Sequence, residues 1–279
     1  MIFDYAIFNG ELLPVDKVQI SLFTRSLYYG YGVFEFVKID QGQPFYLEEH
    51  IRRLFKSAMM LDLKLKVDAD TLMAWFQKLI EIDPQVTCNI RILALGEIDA
   101  NPVVAMKPEP LRIYPKSFYQ DGATAILCEG ARVVPTCKSL NYVVNYMARR
   151  EAIRAGALEA LLHHNGYLVE GAFSNFFIVQ QGQLITSPES EVLSGITRNL
   201  VIQIMQETEY PVIETQILLD LSQYEECFIT TTSMHVMPIT QIDGQLVGDG
   251  QVGTITKMAM SQFETHYQEV MAKNIGENK

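Results

Sequence analysis

Three places in this chain reverse direction over two residues, and they limit the folds open to it. Apolar runs at residues 3–8 and 11–13 flank Asn9-Gly10. Runs at 157–163 and 167–170 flank Asn165-Gly166, and runs at 173–180 and 183–186 flank Gln181-Gly182. Turn residues that accept positive φ close tight hairpins whose twist matches the flanking strands. Further strands are predicted at 33–39, 44–47 (after a turn at Gly42), 87–95, 103–114, 123–128, 227–231 and 236–242. Helices come singly between them. Ile51, Leu54, Phe55, Ala58, Met59 and Leu61 recur at helical spacing over residues 48–61, which sets Arg52, Arg53 and Lys56 at the rim of the buried stripe. Other helices are expected at 70–82, stopped by Asp83-Pro84, at 143–155, at 197–207 and from Thr254 onward. Hairpins with single helices make an α+β chain, not a doubly wound parallel sheet. The polar stretch 116–122 is the natural linker, between a small N-terminal α/β domain (1–115) and a larger C-terminal one (123–279).

Composition removes whole classes of function. Twenty-two Lys and Arg against thirty-three Asp and Glu leave a net charge of −11. No four basic residues cluster, so the basic face that a nucleic-acid binder needs is lacking. No apolar stretch approaches the ~18 residues of a membrane span. The start of the sequence has neither a basic leader nor a small-residue cleavage site, so a cytoplasmic protein is expected. Cys88, Cys128, Cys137 and Cys227 form no CxxC pair and read as small buried residues of a reduced protein. His163-His164 lacks a third ligand nearby, and no metal is expected.

Gly248-Asp-Gly250-Gln-Val-Gly253 has the spacing of a dinucleotide fingerprint. The chain ends after one further helix, without the second strand and acidic residue that the fingerprint requires, so a turn and a helix start are predicted. Lys138 is more informative. It is the only lysine between Lys116 and Lys257, in the nearly uncharged run from Val133 to Val144. An amine placed alone among apolar residues either snorkels or is desolvated into a nucleophile suited to aldehydes. Glu170 closes an apolar strand before Gly171-Ala172, as a solvated strand end or as a partner for a protonated ring nitrogen. Gly195-Ile-Thr197 opens a helix, where free N–H groups cap the helix or attract a phosphate. The run from Thr230 to Ser233 is a candidate for the same anion site.

Taken together, these features resemble the class IV aminotransferases, the pyridoxal-phosphate fold type IV family of branched-chain aminotransferases, D-amino-acid aminotransferases and aminodeoxychorismate lyases. The resemblance runs through Tyr28-Tyr-Gly-Tyr-Gly-Val-Phe-Glu35, His50-Ile-Arg-Arg53, Lys138-Ser-Leu-Asn-Tyr142, Glu170-Gly-Ala-Phe-Ser-Asn175, Leu193-Ser-Gly-Ile-Thr-Arg198 and Met237-Pro-Ile239. It implies that Lys138 carries pyridoxal 5'-phosphate as a Schiff base and moves the substrate proton. By the same resemblance Glu170 pairs with the pyridine nitrogen, and Arg53, Ile196, Thr197 and Thr232 hold the phosphate. Leu193 packs on the ring and Tyr142 reaches the phenolic oxygen, although the Lys-to-Tyr spacing is one residue shorter than in the branched-chain group.

Tyr29, Phe34, Lys38, Arg91, Ser233 and Met234 are the implied substrate residues, with Arg91 suited to an acidic side chain. Phe36 stands where the branched-chain group has glycine, and Gly96-Glu-Ile-Asp-Ala100 lacks the Arg-x-His of the D-amino-acid enzymes. Met234-His-Val-Met-Pro238 is close to a run found in some lyases. The expectation is a homodimeric aminotransferase passing an amino group between an amino acid and a 2-oxoacid, with the branched-chain type favoured. The alternatives are a lyase releasing p-aminobenzoate and pyruvate, and a non-catalytic cofactor-binding relative.

Overall fold

A computed structural model describes residues 1–97 and 102–277. The chain forms two compact units. The first holds Met1–Arg112, the short segment Cys137–Asn141 and the residues from Val270 on; the second holds Ile113–Thr136 and Tyr142–Glu269.

In the first unit β1 (Tyr5–Phe8) and β2 (Glu11–Pro14) form the expected hairpin. Asn9 and Gly10 both have positive φ, at 49° and 87°, as a two-residue turn of this hand demands. Next come α1 (Arg25–Tyr29), β3 (Gly32–Asp40), β4 (Gln43–Pro44), α2 (Leu47–Met60), α3 (Ala69–Ile80), β5 (Cys88–Leu95) and β6 (Val103–Glu109). The six strands make one antiparallel sheet in the order β2-β1-β6-β5-β3-β4. Its core is built from the inward residues of β3 and β5 with Ile51, Leu54, Leu72, Phe76 and Leu79 of the two helices. Helix α3 starts where Asp68 accepts the Thr71 N–H at 2.8 Å, one residue before the predicted start. The five-residue α1 was not expected, and β6 stops at Glu109 instead of 114 because Pro110 has no N–H to extend the ladder.

The second unit contains α4 (Lys116–Gln120), β7 (Ala123–Glu129), α5 (Val143–Arg154), β8 (Glu159–His164), β9 (Tyr167–Gly171), β10 (Asn175–Gln180), β11 (Gln183–Thr186), α6 (Ile196–Met205), β12 (Val212–Glu214), β13 (Ile217–Leu218), β14 (Glu226–Thr231), β15 (His235–Ile242), β16 (Gln245–Leu246) and most of α7 (Thr254–Glu277). Its sheet runs β12-β11-β10-β14-β15-β7-β8-β9-β13, with β16 on β15. It is mixed. The predicted hairpins are antiparallel, while β15–β7, β7–β8 and β11–β12 pair in parallel. A connection such as α5 between β7 and β8 is what permits a parallel neighbour. The polar stretch after Pro115 contains a short helix, α4.

Gly248 and Gly250 lie in turns with positive φ, and the helix beyond them starts against a carboxylate. Glu226 accepts the N–H groups of Ile255 and Thr256 at 3.1 and 2.7 Å, so the α7 start is filled by the chain's own anion, as the turn-and-helix reading requires. All four cysteines are free, and three are buried. No described helix is long and apolar enough to cross a membrane, and among the described residues no group of His, Cys, Asp and Glu is placed to hold a metal.

Candidate active site

Strand β3 carries chemistry on both faces. Alternation puts Val33, Glu35 and Val37 towards α2, and Phe34, Phe36 and Lys38 on the opposite face. The segment Cys137–Asn141 lies along the start of β3: Phe34 N–H donates to Lys138 O at 3.0 Å, and Leu140 N–H to Gly32 O at 2.9 Å. Ser57 of α2 fixes it from the other side, its hydroxyl accepting the Lys138 N–H at 3.1 Å. Backbone held this firmly aims the side chain. Lys138 Nζ stands 4.6 Å from the centre of the Phe34 ring, a cation–π distance. The same ring lies 5.8 Å from the Arg91 guanidinium, which is 4.8 Å from the Phe36 ring. Arg91 also gives Nε and Nη2 to Glu109 of β6, at 2.6 and 3.1 Å.

Behind this face is a buried ionic cluster. Arg53 of α2 grips Glu35 with two parallel bonds, Nε to Oε1 at 2.7 Å and Nη2 to Oε2 at 2.8 Å. His50 Nδ1 lies 2.7 Å from the same Oε2, and Glu35 and His50 are both fully buried. Burial alone pushes the Glu35 carboxyl up; the charge and hydrogen bonds of Arg53, helped by His50, outweigh it and hold the group well below the usual carboxylate range. For His50 burial dominates and lowers its pKa, although Glu35 pulls the other way. A neutral ring then donates from Nδ1. Its Nε2, buried with no partner among the described residues, is left as a bare acceptor and not as an unsatisfied N–H.

This arrangement sets an acid dependence. An unfolded histidine titrates near 6.5 and an unfolded glutamate near 4.5, both above their folded values. Below each unfolded pKa the unfolded chain binds more protons, so stability is present above it and declines as pH falls. Urea unfolding followed from pH 8 to 5 is therefore expected to show a loss starting near pH 6.5, and His50→Gln is expected to flatten that first part of the curve. An identical slope in the variant contradicts the assignment.

The second unit gathers another set of predicted residues. Glu170, at the end of β9, is buried and accepts the Leu193 N–H at 3.1 Å through Oε2. Its Oε1 accepts from Arg132 Nε at 2.8 Å; the same guanidinium bonds the Pro135 carbonyl and lies 5.9 Å from the Tyr142 ring. Tyr142 precedes α5 and packs at 5.4 Å on Phe173, in the turn after Glu170. Glu159 braces that turn, accepting from Ser174 Oγ at 3.0 Å and Phe173 N–H at 3.4 Å; burial raises its pKa.

From Leu193 the chain enters α6. Asn175 Nδ2 donates to Leu193 O at 2.8 Å, and a Cβ on Gly195 would run into Asn175 Oδ1. Ile196 and Thr197 are buried in the first turn, where no side chain caps the helix, in contrast to the start of α7. Uncapped amides at the positive end of a ten-residue helix suit a phosphate. Gly195→Ala is expected to push Asn175 aside, destabilise the protein by roughly 1–3 kcal/mol and weaken phosphate binding. Thermal unfolding with and without pyridoxal phosphate checks this; unchanged stability and binding contradict it.

Other expected residues fall elsewhere. Arg198 is buried and structural, bonding Ser187 O at 2.8 Å and Glu214 at 2.6 Å. Thr232 and Ser233 lie in the turn between β14 and β15, and Ser233 Oγ is 3.3 Å from Thr231 Oγ1. The Met234 side chain packs in the core of the second unit, its N–H donates to Thr231 Oγ1 and its carbonyl accepts from the Tyr119 hydroxyl. His235 packs between Phe263 and Tyr267 of α7, with Nδ1 3.3 Å from Glu264. Tyr29 sits on α1, largely exposed beside Arg25, and Lys38 is half-buried on β3. Residues 98–100 of the loop compared with Arg-x-His lie outside the described residues. Glu35, His50 and Arg132 were missed as members of the site. Arg132 had the signal that drew attention to Lys138, a lone cation in an apolar run.

Residues 32–242 match the family described as amino-transferase class IV. A putative branched-chain-amino-acid aminotransferase of Methanocaldococcus jannaschii is 33% identical over 270 residues, covering 92% of this chain and 94% of its own length. A D-alanine aminotransferase of Staphylococcus epidermidis is 32% identical over 273 residues, covering 93% and 96%. Among solved structures, a T.th. branched-chain amino acid aminotransferase with pyridoxamine 5'-phosphate superposes with a TM-score of 0.86 at 29% identity, over 95% of this chain and 93% of that one. The expected α+β, type IV fold is thereby shown, and the chain belongs to the class IV aminotransferases.

Proposed function

We propose that this chain uses pyridoxal 5'-phosphate, held covalently at Lys138, to move an amino group between an amino acid and a 2-oxoacid, and that its substrates are of the branched-chain type. The observation that carries the reading is the Lys138 amine on the Phe34 ring, with its backbone locked to β3 and α2. The donor set suits a phosphorylated pyridine aldehyde. In the first unit Arg53, turned rigidly by Glu35, offers a cation suited to a phosphate; in the second, the uncapped amides of Ile196 and Thr197 and the hydroxyl of Thr232 offer hydrogen-bond donors suited to one. Glu170, kept in place by Arg132 and the Leu193 N–H, is the carboxylate for the pyridinium nitrogen. Leu193 offers an apolar surface to the ring, and Tyr142 a phenol to its oxygen.

When bound, the cofactor acts as an electron sink for the substrate carbanion. The chain's own part is acid–base and positional. With the cofactor bound, Lys138 Nζ would move the substrate α-proton, Glu170 would keep a proton on the ring nitrogen, and Arg53 would hold the phosphate. Tyr29, Phe34, Lys38 and Ser233 complete the substrate surroundings.

We also propose a cytoplasmic homodimer of two-domain subunits. Four free cysteines fit a reducing compartment. Leu22 and Phe23, 76% and 81% exposed, adjoin exposed Leu27, Tyr28 and Tyr29, an apolar cluster suited to a second copy. A panel of L-leucine, L-valine and D-alanine with a neutral 2-oxoacid tests the substrate type. Faster turnover of the L-branched-chain amino acids is expected, and preference for D-alanine overturns that part of the reading.

A further inference from the structure

We infer that Glu159 is a positioning residue: its buried carboxyl group anchors the turn 171–174 and so sets the wall on which the Tyr142 ring rests. The effect on cofactor binding rests on the reading of Tyr142 as the phenol that meets the ring oxygen of the cofactor.

An acid in the interior needs partners. Glu35 and Glu170 each hold a guanidinium, at 2.7 and 2.8 Å. Glu159, 2% exposed on β8, bonds no cation among the described residues, and Arg149 acts on it only through space. Burying an acid without a bonded counter-charge costs stability that an apolar residue in the same strand would not lose. What Glu159 holds instead is a set of neutral donors. Its Oε1 accepts the N–H of its neighbour Ala160 at 2.9 Å, and its Oε2 accepts the Ser174 hydroxyl at 3.0 Å and the Phe173 N–H at 3.4 Å. Two of the three donors belong to the turn that follows Glu170.

That turn is closed by the Gly171 N–H donating to Ser174 O at 2.8 Å, and it is laid on β8 by the Ala172 N–H donating to Ala160 O at 2.8 Å. It packs so closely that a Cβ on Gly171 would meet Ser174 Oγ and Glu159 Cγ. Two contacts then lead from the turn to the start of α5. Asn145 Nδ2 donates to Ala172 O at 2.7 Å, and the Phe173 ring lies 5.4 Å from the Tyr142 ring. Phe173 is 45% exposed, so packing alone does not fix its ring; its backbone does, and Glu159 accepts the backbone N–H. The other neighbour of the Tyr142 ring, Arg132 at 5.9 Å, is bonded to Glu170. Each of the two buried acids of this region thus holds one neighbour of the same phenol.

Two measurements on the full chain test this. In the first, 3-fluorotyrosine is incorporated in place of Tyr142 alone and its fluorine resonance is followed by NMR. One narrow line is expected in the natural background. Glu159→Ala is expected to shift and broaden it, and Ser174→Ala, which removes the same bond at the cost of one oxygen, to do so in the same direction. The second variant keeps the test independent of how well Glu159→Ala folds. Glu159→Gln, whose amide still meets the Ser174 hydroxyl and the Ala160 N–H, is expected to restore most of the natural line. A line unchanged in Ser174→Ala overturns the inference, whatever the phenol does.

In the second, pyridoxamine 5'-phosphate, which forms no covalent bond to Lys138, is titrated calorimetrically. Tyr142→Phe is expected to weaken it ~5- to 10-fold, the worth of one hydrogen bond. Ser174→Ala is expected to weaken it roughly 3- to 10-fold with Tyr142 present and by no more than about 2-fold when added to Tyr142→Phe, because residues that act through one another are not additive. Equal weakening in the two backgrounds marks a merely structural contact and overturns the inference. Tyr142→Phe without effect on this affinity strikes the reading of the phenol, and the fluorine line then decides the positioning by itself.

Discussion

Lys138→Ala is expected to lose the visible absorption of covalently held cofactor and to reduce turnover by ~10,000-fold or more, because one amine serves as attachment point and as proton carrier. Folding is expected to survive. The contacts that hold the segment Cys137–Asn141 are backbone bonds to Gly32, Phe34 and Ser57, which alanine makes equally well. The half-exposed side chain makes an amine–ring contact with Phe34 and is not a member of the buried core cluster. A melting temperature close to that of the natural protein, with activity gone, separates loss of chemistry from loss of structure. Substantial residual transamination contradicts the role given to this lysine.

The second large effect concerns Glu35. Glu35→Ala leaves Arg53, itself about nine-tenths buried, without its counter-charge, and leaves His50 Nδ1 without its acceptor. Removing one member of a buried pair costs about 3–5 kcal/mol, far more than the pair contributes over a well-packed apolar substitute. Combining Glu35→Leu with Arg53→Met is therefore expected to recover much of the stability by removing both charges. It is not expected to recover binding of pyridoxal phosphate, because the cation proposed for the phosphate is gone with the pair. Urea unfolding and cofactor titration on the same two proteins check both halves. A double variant that regains cofactor affinity contradicts the assignment of Arg53; a Glu35→Ala protein as stable as the natural one contradicts the electrostatic account of the cluster.

Local rules made much of this architecture legible. Asn9-Gly10 and Asn165-Gly166 turn where two-residue hairpins require positive φ, and α2 lies one residue from its predicted bounds because its apolar stripe is unambiguous. The parallel neighbours β15, β7 and β8 were not readable, since pairing between distant strands leaves no period in the sequence. The short α1 and α4 were missed for a related reason: five residues hold too little periodicity to register.

Of the proposed site, Lys138, Arg53, Glu170 and Thr197 stood out in the sequence as residue types in recognisable surroundings. Their partners did not. Glu35 reads as one polar residue in a strand until β3 is laid against α2, and Arg132 is separated from Glu170 by 38 residues. Arg91 read as suited to an acidic partner, but not which one: Glu109 is 18 residues away, and only the β5–β6 register brings the two together. For Met234 the sequence left burial open, and the fold places its side chain in the core of the second unit.

Borohydride reduction of the cofactor-loaded protein, followed by tryptic digestion and mass spectrometry, addresses the covalent assignment directly. A reduced lysine resists trypsin, so the account predicts one pyridoxyl-modified peptide spanning residues 133–149, uncut at Lys138. A modified peptide from any other part of the chain, or none, contradicts it.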